Sequence, residues 1–187
     1  MKNILVTGCS KGIGFQIVKQ FAKQSDTSVL AISRDSVGLN KLVEECKLIN
    51  KHFVLKVISL DLSVMSSIEL LASIVQKDFK SSVDGIIHNA GFLVKKSFTD
   101  ITNEDLDTSF KVNCLAPFLL TQKLIPFFTP NAHVLSISSM GGLQGSQKFP
   151  GLSAYSTSKA TLITLTESLA EEFKMTNYKF NCLALGA

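Results

Sequence analysis

The chain has 187 residues, 45% of them hydrophobic and 18% charged, with 13 Phe and no Trp. That composition fits one globular domain with a sizeable core and excludes a disordered or fibrous chain. The 19 basic and 15 acidic side chains leave a charge of only +4, and the single Arg, Arg34, stands among scattered lysines, so no basic patch for nucleic acid is expected.

Met1 and Lys2 lead straight into the first strand, Asn3–Thr7, rather than into a long apolar leader. The turn Thr7-Gly8-Cys9-Ser10-Lys11-Gly12-Ile13-Gly14 follows and opens a helix over Gly12–Gln24. Its three glycines have separable uses: Gly8 takes a tight turn, Gly12 lets a pyrophosphate approach bare backbone, and Gly14 lets the helix pack close to the sheet. The helix N-terminus offers unpaired N–H groups and a positive dipole end to phosphate. The second strand, Ser28–Ser33, ends at Ser33-Arg34, where a carboxylate would accept from an adenosine 2′-hydroxyl and repel a 2′-phosphate. Here a guanidinium stands instead and can grip phosphate through paired N–H bonds, with Lys11 adding charge on the same side. Asp35 is adjacent and is expected to pair with Arg34 in part.

A helix over Val37–Asn50 leads to the third strand, Phe53–Ser59, then Leu60-Asp61-Leu62 and a helix over Val64–Phe79 for which Ser63 is the better cap. The fourth strand, Val83–His88, runs into Asn89-Ala90-Gly91. His88 reads as a packed strand-end residue rather than a ligand. One long helix is expected over Asn103–Phe128; its apolar part is interrupted by Pro117, Gln122, Lys123 and Pro126 and is too short to cross a bilayer. The fifth strand, Ala132–Ile137, meets Ser138-Ser139 and a long glycine-rich loop, Met140–Leu152. The helix Ser153–Met175 carries Tyr155 and Lys159 at i and i+4, on one face. The sixth strand is Lys179–Leu185. Cys9, Cys46, Cys114 and Cys182 lie far apart with no CxxC pair, so reduced thiols, a cytoplasmic address and no metal centre are expected. Most strands are near-continuous apolar runs, as for strands covered on both faces. The βαβαβαβαβαβ order gives the fold class: α/β, a Rossmann-type doubly wound parallel sheet in three α/β/α layers, one domain.

The G-x3-G-x-G spacing, Asn89-Ala90-Gly91 and Tyr155-x3-Lys159 together resemble the short-chain dehydrogenase/reductase family, from about residue 3 to 186. The resemblance implies an oxidoreductase that interconverts a carbonyl and an alcohol with a nicotinamide cofactor. Tyr155 is then the general acid/base, Lys159 lowers its pKa and bonds the nicotinamide ribose, and Ser139 polarises the substrate carbonyl. Asn113 completes a tetrad by holding a water that links Lys159 to solvent. The cofactor set becomes Gly8, Ser10, Lys11, Gly12, Ile13, Gly14, Ser33, Arg34, Asp61, Leu62, Asn89, Ala90, Gly91, Tyr155, Lys159 and Gly186. Asp61 meets the adenine, and Asn89-Ala90-Gly91 forms the floor under its ribose. Basic residues at positions 11 and 34 mark users of NADP(H) rather than NAD(H). The helices 103–128 and 153–175 are expected to form a homodimer interface.

Two departures stand out. Ser139 and Tyr155 are spaced more widely than usual, with an insertion around Ser146-Gln147-Lys148, and Leu185 stands where the family has Pro before Gly186. Residues 1–187 read as an NAD(P)-binding Rossmann domain that stops after its sixth strand, short of the family's substrate-covering segment. A non-catalytic dinucleotide-binding regulator is the alternative function.

Overall fold

The computed structural model describes residues 1–186. Six parallel strands lie in the order β3-β2-β1-β4-β5-β6: β1 Lys2–Thr7, β2 Thr27–Ser33, β3 Val54–Ser59, β4 Val83–His88, β5 Phe128–Ser139 and β6 Lys179–Leu185. The order reverses between β1 and β4, and at that switch the loops leaving the two strands part to opposite sides and open a crevice. Helices α1 (Gly12–Phe21) and α2 (Ser36–Ile49) cover one face. Their apolar residues, among them Phe15, Val18, Leu39 and Leu42, pack on Val6, Val29 and Ala31. Helices α3 (Met65–Asp78), α4 (Asn103–Phe110), α5 (Ala116–Leu124) and α6 (Ser153–Glu172) take the other face. Ile68, Leu71, Leu120 and Leu124 there close over Leu5, Leu30, Ile86 and Val134.

Coverage of both faces holds for β2 but not for β6. Phe180 is buried beneath α6, whereas Leu183, on the opposite face, is 48% exposed. The single helix expected over Asn103–Phe128 is four pieces: α4, a π turn over Lys111–Leu115, α5, and a 3₁₀ turn over Ile125–Phe127. The prolines account for the breaks, because Pro117 has no N–H for the carbonyl of Asn113 and Pro126 none for that of Gln122. The start of α4 is a capping box in which Thr102 and Asp105 exchange side-chain-to-backbone bonds. Strand β5 begins earlier than expected. Between the pairs Val83↔Phe128 and Gly85↔His133 its register shifts, and Pro130, which cannot donate to a ladder, lies in that irregular stretch.

Candidate active site

The glycine turn is fastened to the end of β4. Thr7 Oγ1 accepts from the N–H groups of Asn89 and Ala90, each at 3.1 Å, and the Asn89 amide donates to the carbonyls of Thr7 (3.1 Å) and Gly8 (2.9 Å). Close packing follows. A Cβ on Gly14 would lie 2.3 Å from the Gly8 carbonyl oxygen and 2.4 Å from Asn89 Nδ2. Gly12 is different: its φ is +63° and a Cβ there would meet nothing within 4 Å. The bare backbone of Gly12 therefore faces open space at the start of α1, as a phosphate cradle requires.

Beside this turn lies a cleft of about 270 Å³. Gly8, Ser10, Lys11, Ser33, Arg34, Asp61, Leu62 and the Asn89-Ala90-Gly91 turn all border it. Leu60 and Val112 border it too, and nothing in their sequence context marked them. Ile13 is half exposed on the first turn of α1, outside the wall. Gly186 also lies outside it, following β6 with its Cβ position 3.8 Å from Met140 Cγ.

Arg34 does not pair with its neighbour. Asp35 caps α2, accepting from the N–H groups of Val37 (3.0 Å) and Gly38 (3.1 Å), because a carboxylate at that position satisfies amides the helix leaves open. The guanidinium instead lies 3.8 Å from Asp61, with 60% of the Arg34 side chain exposed. Burial presses the Asp61 carboxyl upward, but the N–H and hydroxyl of Ser63 and the Arg34 charge outweigh it and hold it below the usual carboxylate range. Ser63 is thus a donor to Asp61 and not the cap of α3, whose first residue follows Val64 with no side-chain cap. The Ser33 and Ser10 hydroxyls are 2.9 Å apart.

At the carboxyl end of β5 the two adjacent serines separate. Ser138 is buried and donates to the carbonyl of Lys159 at 2.8 Å, tying β5 to α6. Ser139 accepts from the N–H of Gly141 at 3.2 Å. The turn Met140–Gly142 lies hard against α6: a Cβ on Gly141 would be 2.8 Å from Ser156 Oγ, and one on Gly142 2.7 Å from the Ala160 nitrogen. Those two glycines let the Ser139 hydroxyl come close to the first turn of α6.

Lys159 is 3% exposed, and its ammonium donates to the carbonyl of Ile137 at 2.8 Å. Burial pushes Tyr155 above its usual value, and the Ser139 hydroxyl works against that rise. Burial also pushes Lys159 down to about 8, with the neighbouring Cys182 thiol acting in the opposite sense. His88, fully buried and 2.8 Å from Thr121 Oγ1, is held neutral, pushed down to about 3 by burial and by the Lys159 charge.

Asn113 stands in the π turn, fully buried. Its side-chain Oδ1 accepts from the N–H of Phe92 at 2.7 Å, and Nδ2 donates to the Phe92 carbonyl at 2.8 Å and to Ser158 Oγ at 2.9 Å. Its amide is thereby committed to protein partners.

The residues around Ser146-Gln147-Lys148 fold back on their own loop. Gly145 has a φ of +77°, the Ser146 hydroxyl donates to the Leu143 carbonyl at 2.8 Å, and Lys148 donates to the same oxygen at 2.5 Å. Farther along, the carbonyl of Gly151 accepts from the N–H of Lys96 at 3.1 Å, joining this loop to the one that follows β4.

The family model for short chain dehydrogenases matches residues 2–187. The chain belongs to the short-chain dehydrogenase family. It is 30% identical over 190 residues to a 3-oxoacyl-[acyl-carrier-protein] reductase of Thermotoga maritima, covering 99% of this chain and 73% of that protein. It is 29% identical over 188 residues to a ketoacyl reductase of Nostoc, covering 99% of this chain and 63% of the relative. Among solved structures, a short-chain dehydrogenase from Streptomyces avermitilis superposes with a TM-score of 0.85 at 30% identity, covering all of this chain and 65% of that one. One from Shigella flexneri, complexed with NADP, gives 0.86 at 25% identity, covering 99% and 77%. The chain thus spans from under two thirds to about three quarters of the length of these family members. No helix among the described residues is long and apolar enough to cross a membrane.

Proposed function

We propose that this chain binds a nicotinamide dinucleotide, NADP(H) in preference to NAD(H), and that Tyr155 acts as general acid/base in the interconversion of a carbonyl and an alcohol. The observation that carries this reading is the packing of the Met140–Gly142 turn on α6, which brings Ser139 beside the first turn of the helix that carries Tyr155. The open backbone at Gly12 fits a diphosphate, and the cleft wall from Ser33 to Asp61 and along Asn89-Ala90-Gly91 fits an adenosine. When bound, the cofactor supplies or takes up the hydride. Burial keeps the phenol protonated at neutral pH, which is the form that donates to an oxygen gaining negative charge. The Ser139 hydroxyl donates to that oxygen and afterwards to the phenolate. Lys159 contributes positive charge that steadies the phenolate as it forms and bonds the ribose hydroxyls.

Preference for the 2′-phosphate is supported by the exposed Arg34 on the cleft wall and by Asp35 being occupied in capping α2. Titrating the chain with NADPH and NADH by cofactor fluorescence tests the cofactor, and Tyr155→Phe tests the chemistry. The expected result is tighter binding of NADPH, retained by Tyr155→Phe, with turnover abolished. Retained turnover identifies another proton donor, and binding with no turnover in the wild-type chain makes it a dinucleotide-binding regulator.

A homo-oligomeric contact through helices α4 to α6 is proposed from the groove between α5 and α6, about 270 Å³, where Phe118 is 47% exposed beside Leu165 and Leu169. A cytoplasmic address is part of the same reading.

A further inference from the structure

One run of hydrogen bonds crosses the site without touching the place where a substrate would react. Phe92 follows Gly91 on the floor of the cleft, and both polar atoms of its backbone are clasped by the side chain of Asn113. That clasp fixes which end of the amide is which, since the Phe92 N–H needs Oδ1 and the Phe92 carbonyl needs Nδ2. The second Nδ2 proton goes to Ser158 Oγ at 2.9 Å. The one proton of the Ser158 hydroxyl goes on to the carbonyl of Tyr155, also at 2.9 Å. Asn113 and Ser158 are both 0% exposed, and each donor in the run has its acceptor.

The two ends matter for the chemistry. At one end a Cβ on Gly91 would lie 3.3 Å from Lys159 Nζ and 3.6 Å from Asn113 Oδ1, so the cleft floor touches the lysine directly. At the other end is the first turn of α6, where Leu152 supplies no side-chain cap. A first turn without a cap is held only by its forward bonds and by whatever grips it from outside. Asn113 supplies such a grip through Ser158, whose hydroxyl passes it to the backbone of the residue that carries the phenol.

We propose that Ser158 is a positioning residue: through Asn113 and Phe92 it fixes the Tyr155 turn of α6 against the floor of the cofactor cleft. This rests on Tyr155 being the general acid/base. Ser158 itself touches neither substrate nor cofactor. A misplacement of the reacting groups on the order of 1 Å costs up to about a hundredfold in rate, so loosening this turn lowers turnover more than it lowers cofactor affinity.

The test compares wild type, Ser158→Ala, Asn113→Ala and the double variant. Three quantities are read: kcat with NADPH and phenanthrenequinone as probe carbonyl, the NADPH dissociation constant by fluorescence, and the NMR signal of the Tyr155 ring from 13Cζ-labelled tyrosine. The chain has two tyrosines, so Tyr178→Phe assigns that signal. Ser158→Ala is expected to lose about tenfold in kcat with the NADPH constant within about twofold, and to shift or broaden the Tyr155 signal. The double variant is expected to be no worse than the poorer single one, because both remove the same link. Ser158→Cys, of similar size, replaces the Ala variant if that one does not fold. A Tyr155 signal at its wild-type position, or losses in kcat that multiply in the double variant, overturns the proposal. Should wild type turn over no carbonyl at all, the enzyme reading fails and the Tyr155 signal alone decides the positioning role.

Discussion

Gly12 and Gly14, two residues apart on the same turn, are expected to respond differently to the same added methyl, the first mainly in cofactor affinity and the second mainly in stability. At Gly12 the methyl enters open space, and its cost is the left-handed backbone at φ +63°. An L-residue held there loses about 1–2 kcal/mol, which lowers Tm by roughly 2–8 °C in a chain of this size. The same methyl stands over the N–H groups at the start of α1. Forfeiting one charge-assisted hydrogen bond to a phosphate costs about 1.5–3 kcal/mol, a ten- to hundredfold loss in NADPH affinity. At Gly14 the methyl would lie 2.3 Å from a backbone oxygen and 2.4 Å from the Asn89 amide that fastens the turn to β4. Neither can give way without breaking the Asn89 bonds, so Gly14→Ala loses about 3 kcal/mol or more of stability. Thermal unfolding monitored by circular dichroism, paired with NADPH titration, separates the two. Equal destabilisation by both substitutions refutes the open space at Gly12, and a Gly12→Ala chain that binds NADPH as tightly as wild type refutes the phosphate cradle.

Arg34→Ala is expected to weaken NADPH by one to two orders of magnitude on the order of a lost bidentate phosphate contact, to leave NADH nearly unchanged and to cost little stability, since its one ion pair is long and exposed; equal losses for both cofactors in parallel titrations would discount the assignment. His88 gains no proton in the folded chain until about pH 3, whereas unfolded His takes one near pH 6.5, so stability present above pH 6.5 is lost as pH falls toward 3. The unfolding free energy of wild type from urea denaturation should fall by about 1 kcal/mol between pH 7 and pH 5.5 relative to His88→Gln, and parallel pH dependences would contradict the burial of a neutral imidazole. Lys159 has the converse range: its folded value near 8 lies below the unfolded 10.5, so the unfolded chain holds more protons in between and stability rises with pH from 8 toward 10.5. Wild type should therefore gain about 1 kcal/mol on Lys159→Met between pH 7 and pH 9, measured by the same denaturation, and no gain would mean that the ammonium is solvated.

The glycine turn was legible because its glycines meet different local demands, each readable from spacing between a strand and a helix. The Tyr155 and Lys159 spacing was legible for the same reason, since i and i+4 share a helix face whatever lies beyond. What Lys159 does with its charge was not: a long flexible side chain chooses among acceptors that only the packed structure brings near, and the Ile137 carbonyl comes from a strand 22 residues away. Arg34 and Asp35 were adjacent in sequence, yet the cap of α2 claimed the carboxylate, and Asp61, just past the end of β3, met the guanidinium. Pro117 stood inside a span read as one helix, and the π turn that precedes it holds Asn113, whose side chain clasps Phe92, 21 residues back. Ser158 sits between Tyr155 and Lys159 in plain view, and its significance lies with a partner 45 residues distant.

The loop between Ser139 and Tyr155 is pinned at both ends and nowhere else to the body of the protein through the contacts described. The Met140–Gly142 turn presses on α6 at one end, and the Gly151 carbonyl holds the Lys96 N–H at the other. Residues 143 to 150 close mainly on themselves, through Ser146 and Lys148 on the Leu143 carbonyl. Lengthening that interior changes a closed excursion rather than the span between anchors, and its entropic cost grows only slowly with length. Changes of length around Ser146-Gln147-Lys148 would therefore leave the two anchored ends, and with them the Ser139 and Tyr155 backbones, where they are. The rim of the site and its floor are in that sense built to vary independently.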